Sequence, residues 1–242
     1  MSASEIKELA ELLRRLREAD RNLRVFGAGF HKYKLRPTIT EAQLQEFERT
    51  HQVKLPEDYR MFLREIGNGE AGPFYGLEPL EKAGQYRDLS KPFPFTKATD
   101  SYSDAELDKW GDRDEYPGVL EFCHQGCAIY SYLVVNGPTY GIIWEGREDF
   151  YPSEMSFGVW YRRWVEKALR TLENEPLVNK LALGMTKEQV VATVGGDWQE
   201  RENLYSPEHY FEASEIPAQI ILSGEDGTVT KINRWPSISA RP

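Results

Sequence analysis

Residues 39–80 read ITEAQLQEFERTHQVKLPEDYRMFLREIGNGEAGPFYGLEPL, and this stretch decides the fold. Thr40 with Gln43 three residues later forms a capping box, and Ile39 before the cap reaches Leu44 as a hydrophobic staple. Leu44 and Phe47 mark the buried stripe of this first helix. A second helix is predicted from Leu55-Pro56, with proline at the first helical position, where its missing N–H is harmless. Glu57 and Asp58 follow in the first turn, favourable to the macrodipole. Tyr59, Phe62, Leu63 and Ile66 then fall on one helical face. Gly67-Asn68-Gly69 is expected to end that helix in the left-handed conformation. Residues 73–80 read as the first strand.

Downstream, three strands are predicted at 118–123, 127–135 and 139–145. Residues 128–135, AIYSYLVV, are apolar enough for a central strand. Asn136-Gly137 signals a hairpin, so the sheet is expected to be antiparallel, with about five or six strands. Ser156 is the expected cap of a helix whose stripe is Phe157, Trp160, Tyr161, Trp164, Val165, Ala168, Leu169 and Leu172. That regular period marks the helix that closes the core.

Upstream, residues 3–21 read as a helix with a Ser2–Glu5 capping box and a stripe of Ile6, Leu9, Leu12, Leu13 and Leu16. Arg14, Arg15, Arg17 and Arg21 lie on its remaining surface. Glu8, Glu11 and Glu18 interleave with them, as on a solvated face. Residues 22–37 read as a connector with a short strand at 24–26. Glu173-Asn174-Glu175-Pro176 marks a boundary. Beyond it Thr186 and Gln189 form another capping box, opening a short helix that ends at Gly195-Gly196. Strands are predicted at 210–213, 218–223 and 228–234, the last two joined by residues 224–227.

The fold expected is therefore α+β: an antiparallel sheet packed against helices, with an N-terminal helix and a small C-terminal α+β module. The divisions expected are 1–37 for the N-terminal helix and connector, 38–175 for the main domain and 176–242 for the C-terminal module.

The chain has 242 residues, 40% of them hydrophobic and 12% aromatic, enough for a sizeable core. A mean hydropathy of −0.60 and no long apolar run argue against a transmembrane helix. The charged first 20 residues have no apolar core of a secretory signal, and two cysteines do not make a disulfide framework. Together these predict a cytoplasmic, reducing compartment. Net charge is −9, unevenly spread: residues 1–36 hold nine Lys/Arg against five Asp/Glu, which leaves −13 on the other 206 residues. Such a surface disfavours direct nucleic-acid binding and favours a basic protein partner. Acidity also serves plain solubility.

Residues 100–115 are the densest acidic run, seven carboxylates against Lys109 and Arg113. Asp100, Asp104, Glu106, Asp108, Asp112, Asp114 and Glu115 alternate with Tyr102, Trp110 and Tyr116. Aromatics supply contact area and acids supply steering, so Asp100 to Glu115, with Tyr102 and with Trp110 as anchor, is the candidate partner-binding segment. The competing reading is a solvated loop whose Trp110 tucks into the core.

Catalytic and metal signatures are thin. Cys123-His124-Gln125-Gly126-Cys127 offers three ligand types, but a structural zinc site needs a fourth. Cys123 and His124 are neighbours in a strand and point to opposite faces, which argues against a nucleophile–base pair. Gly67-x-Gly69-x-x-Gly72 matches the dinucleotide fingerprint as text only. It follows a helix and precedes a predicted strand, the reverse of the order that seats a pyrophosphate. No catalytic residue, metal ligand or cofactor is therefore assigned.

The run LPEDYRMFLREIGNG resembles the signature of the SMI1/KNR4, or SUKH, superfamily: a leucine-proline helix start, an aromatic helix face and a glycine-asparagine-glycine turn. GCAIYSYLVVNG, YGIIWEG and SFGVWYRRWVEKAL resemble the strands and closing helix of the same superfamily, over roughly residues 38–172. The resemblance implies, for bacterial members, an immunity protein. It would bind a cognate toxin domain, such as a nuclease, and block it by stoichiometric occlusion without turnover. The alternative implied is a regulatory scaffold like the fungal members, which predicts long disordered flanks that are not seen in this sequence. An enzyme with an unrecognised site is the third class, and predicts a pocket with perturbed titratable groups. Separately, LGMTKEQVVATVGG resembles the start of small helix-plus-sheet repeats of the SmpA/OmlA and β-lactamase-inhibitor type, which implies fold only.

Overall fold

A computed structural model describes residues 1–110, 116–195, 198–202, 209–213, 218–222 and 227–234. The chain divides into two units, one of residues 1–14 and 27–164, the other of residues 15–26 and 165–241.

α1 (Ala3–Ala19), of which residues 3–14 belong to the first unit, starts at the Ser2–Glu5 box, with Ser2 N donating to Glu5 Oε2 at 2.6 Å. It buries Ile6, Leu9 and Leu13. The connector contains a short helix, α2 (Ala28–His31), where no helix is expected from the sequence. α3 (Glu41–His51) carries the full Thr40–Gln43 box. α4 (Glu57–Glu65) has Pro56 as its N-cap and so begins one residue later than expected.

α4 buries Tyr59, Phe62 and Leu63, the face its periodicity announces. Arg60 on the same helix is also buried and ties α4 to α3. Its guanidinium pairs with Glu41 and, at 2.6 Å, with Glu48. Burial lowers its pKa, but these carboxylates outweigh that effect and raise it.

The 67–69 turn works differently from the expectation. Only Gly69 among the three is left-handed, at φ +90°. The helix ends on Ile66 in a right-handed conformation. Asn68 instead turns its side chain to the next helix, α5 (Leu80–Ala83). Its Oδ1 accepts from Leu80 N and its Nδ2 donates to Glu81 Oε2, both at 2.8 Å.

The expected strand at 73–80 is absent. Glu70 and Phe74 take left-handed angles and Gly76 sits at φ +95°, which breaks the extended run. What remains are single bridges, Glu70 to Leu77 and Leu77 to Cys123. The sheet itself has four antiparallel strands in the order β1-β2-β3-β4: β1 (Val119–Gly126), β2 (Ile129–Val134), β3 (Ile142–Gly146) and β4 (Phe150–Ser156). β4 has no counterpart in the sequence reading, because FYPSEMS carries Pro152 and no apolar alternation. The β1–β2 loop is two residues, Cys127 and Ala128, both with positive φ (51° and 60°), the type I′ arrangement that matches strand twist.

One face of the sheet packs on α4 and α7 (Phe157–Val178). Phe122 of β1 lies 5.3 Å from Trp160 and 5.9 Å from Phe157, while Tyr59 and Phe62 of α4 lie 4.7 and 5.0 Å from Phe157. α7 runs on through the 173–176 segment, with Pro176 inside it. Ser156 ends β4 and is not the cap it was expected to be. A carboxylate from 100 residues earlier takes that place, with Gly158 N donating to Asp58 Oδ2 at 2.8 Å.

The opposite face is covered by irregular chain. Phe93, Phe95, Leu107 and Tyr116 pack there on Val119, Tyr132, Val134, Trp144 and Phe150.

The second unit contains α8 (Lys187–Val194), started by the Thr186–Gln189 box, and four antiparallel strands: β5 (Trp198–Glu202), β6 (His209–Ala213), β7 (Ala218–Leu222) and β8 (Val229–Arg234). Its core is Val178, Leu181, Val190, Val194, Ile220 and Val229. β5 was not expected from the sequence. The 224–227 connection lies outside the described residues except for Gly227.

Candidate functional site

The described part of the acidic segment is anchored by apolar and small polar residues, which leaves Asp100, Asp104, Glu106 and Asp108 outside. Thr99 is 1% exposed; its hydroxyl accepts from Phe150 N at 2.8 Å and donates to Asp149 Oδ1 at 3.3 Å, pinning the segment to β4. Leu107, in α6 (Asp104–Leu107), is 4% exposed and sits with Phe95 and Tyr116. Tyr102 is half-buried: its ring packs 5.4 Å from Phe95 and its hydroxyl accepts from Thr96 N at 3.3 Å. Lys97 Nζ lies 4.5 Å from the Tyr102 ring, a cation–π contact.

Asp100, Asp104, Glu106 and Asp108 are all exposed. Asp100 Oδ2 accepts from Tyr151 OH at 3.1 Å, and that hydrogen bond pushes the Tyr151 phenol upward. Glu106 Oε2 accepts from both Ser103 N and Ser103 Oγ at 2.8 Å, the capping box of α6. The backbone N–H and hydroxyl of Ser103 hold Glu106 below the ordinary glutamate value. Trp110 ends a 3-10 turn at Asp108–Trp110, and its side chain lies outside the described residues. So do Asp112, Asp114 and Glu115. The sequence gives no signal for Lys97 or Tyr151, which join this surface only through the fold.

The chemistry-bearing motifs come apart in the structure. Cys123 is buried and donates Sγ–H to Pro73 O at 3.3 Å, while Cys127 is exposed at the hairpin tip. Burial, with Glu145 nearby, pushes the Cys123 thiol well up, so it stays protonated and unreactive. His124 lies between the rings of Tyr75 at 5.4 Å and Tyr130 at 4.7 Å. Among the described residues no group of three His, Cys, Asp or Glu is placed to hold a metal. The Gly67/Gly69/Gly72 run serves backbone packing: a Cβ on Gly69 would stand 2.9 Å from Leu77 O, and one on Gly72 2.7 Å from Leu77 Cγ. No helix among the described residues is long and apolar enough to cross a membrane.

Fold and surface together define an α+β protein that presents side chains on an acidic, well-anchored exterior. The model of the SMI1 / KNR4 family (SUKH-1) matches residues 38–163, a little over half of the chain, and the chain belongs to that family. No curated protein matches it, and no solved structure does.

Proposed function

We propose that this chain is an immunity protein that binds a cognate bacterial toxin domain and neutralises it by occupying its working surface, one molecule to one. Family membership over residues 38–163 carries this reading, because the superfamily's bacterial members have that role. The net charge of −9 supports a basic partner such as a nuclease, whose approach an acidic surface accelerates. Asp100, Tyr102, Asp104, Glu106, Asp108, Trp110, Asp112, Asp114 and Glu115 form the contact segment in this reading. The described part of it suits that role: Thr99 and Leu107 hold it still, so less ordering entropy opposes binding. The action is binding without turnover, in the cytoplasm where the toxin arrives.

The test is to find whether the neighbouring reading frame encodes a secreted protein with a toxin domain, and to co-express that domain with this chain. The reading predicts restored growth and a complex that survives gel filtration. Continued toxicity with both proteins present as folded material would refute it.

A further inference from the structure

On the outer face of the β1–β4 sheet, Tyr132 lies under the covering chain, 3% exposed. Two residues nearer the hairpin, Tyr130 is only half-buried. There a hollow of about 210 Å³ opens, lined by Glu78, Lys82, Tyr86, Glu121, His124 and Tyr130, among others. Small-molecule sites run from about 300 to 1,000 Å³, so this hollow suits one side chain of a larger partner.

We propose that it receives an arginine side chain of the partner protein, with the guanidinium stacked on aromatic walls and paired with Glu121 and Glu78. This deepens the binding role argued above and rests on it. Tyr130, packed on His124 with 4.7 Å between centroids, lines the hollow with its ring, and Tyr86, 47% exposed, stands at its edge. A planar guanidinium stacks on such faces and grips a carboxylate with two N–H groups at once, which an ammonium does less well.

The carboxylates are set up unequally. Glu121 is fixed: it accepts from Arg87 Nη2 at 2.8 Å, and the Arg87 side chain is 6% exposed, 5.2 Å over the Tyr132 ring. Glu78 instead holds Lys82 Nζ at 2.6 Å, and that lysine is 51% exposed. An exposed pair of this kind is weak and readily exchanged. With Lys82 swung into water, the hollow carries two carboxylates against the one buried arginine, and an incoming guanidinium restores neutrality. Beyond it Tyr75, 5.4 Å from His124, and Phe30, 4.9 Å from Tyr75 and 74% exposed, continue the aromatic strip. That strip supplies contact area around the anchor.

The experiment is an NMR titration of the full chain with N-acetyl-arginine methylamide, and in parallel with the citrulline analogue, which has nearly the same shape and no charge. Saturable shifts at Tyr86, Glu121, His124 and Tyr130 are expected with the arginine probe alone. Tyr86→Ala and Glu78→Gln should each weaken the response on the order of five-fold, as loss of one ring or charge contact implies, with thermal unfolding checking that both variants fold. Shifts that stay linear, that fall elsewhere, or that match between the two probes overturn the proposal. Co-expression separates the two claims. A wild-type chain that protects while the Tyr86→Ala/Glu78→Gln double variant protects equally well removes the arginine site and leaves immunity standing. A wild-type chain that fails to protect removes immunity, whatever the titration shows.

Discussion

Asn68 caps the start of α5 with its side chain. It follows the end of α4, and its side-chain oxygen accepts the first backbone N–H of α5. Asn68→Ala is therefore expected to lower stability by about 1–3 kcal/mol, the penalty for an unsatisfied buried N–H, measured by urea denaturation. Gly76 is a different case. Its φ is +95°, and a Cβ there would stand 2.2 Å from Glu70 O, so strain and clash combine. Gly76→Ala is expected to cost more than about 2 kcal/mol by the same assay. Acid response also belongs at this scale. Glu106 is held below its ordinary value of 4.5, so its folded-state pKa is depressed. Its stabilisation is present above pH about 5 and is lost as pH falls through the depressed folded value. The urea midpoint should drop on the acid side of 4.5, and Glu106→Ala should flatten that drop. An unchanged slope in the variant would contradict the assignment.

At the scale of elements, the two helices of 41–65 and the closing helix from 157 were legible in the sequence because each has an apolar period, to which the first adds the Thr40–Gln43 capping box. The strand at 73–80 was not: its composition suits a strand, but left-handed residues at 70, 74 and 76 turn the chain back on itself. β4 was hidden for the opposite reason, since Pro152 masks a segment whose partners on β3 are fixed by tertiary pairing. The end of the β1–β2 hairpin was also misplaced, because its two-residue loop uses Cys127 and Ala128 in place of a glycine pair. Of the candidate site, the acids were legible as a run, but not the Thr99 and Leu107 anchors, nor the aromatic strip, whose members lie far apart in sequence. Packing between elements concentrates at Phe157, which touches the rings of both α4 and β1. Phe157→Ala is expected to cost about 3–5 kcal/mol, read as a lower denaturation midpoint. Glu48→Ala, which strips one carboxylate from buried Arg60 and the acceptor of Leu55 N, should cost about 1–3 kcal/mol.

For the whole molecule, a net charge of −9 and exposed acids at Asp100, Asp104, Glu106 and Asp108 suit the basic partner proposed above. Reversing Asp104 and Asp108 to lysine should slow association with the toxin domain and weaken its salt dependence, while leaving the thermal midpoint unchanged within a few degrees; surface plasmon resonance at two ionic strengths reads both. The most direct measurement is a titration of the toxin domain's own activity with purified wild-type chain. The account predicts a linear fall that reaches zero at one equivalent, with both proteins recovered intact. Inactivation by a small fraction of an equivalent, or no loss of activity at a several-fold excess, would contradict it.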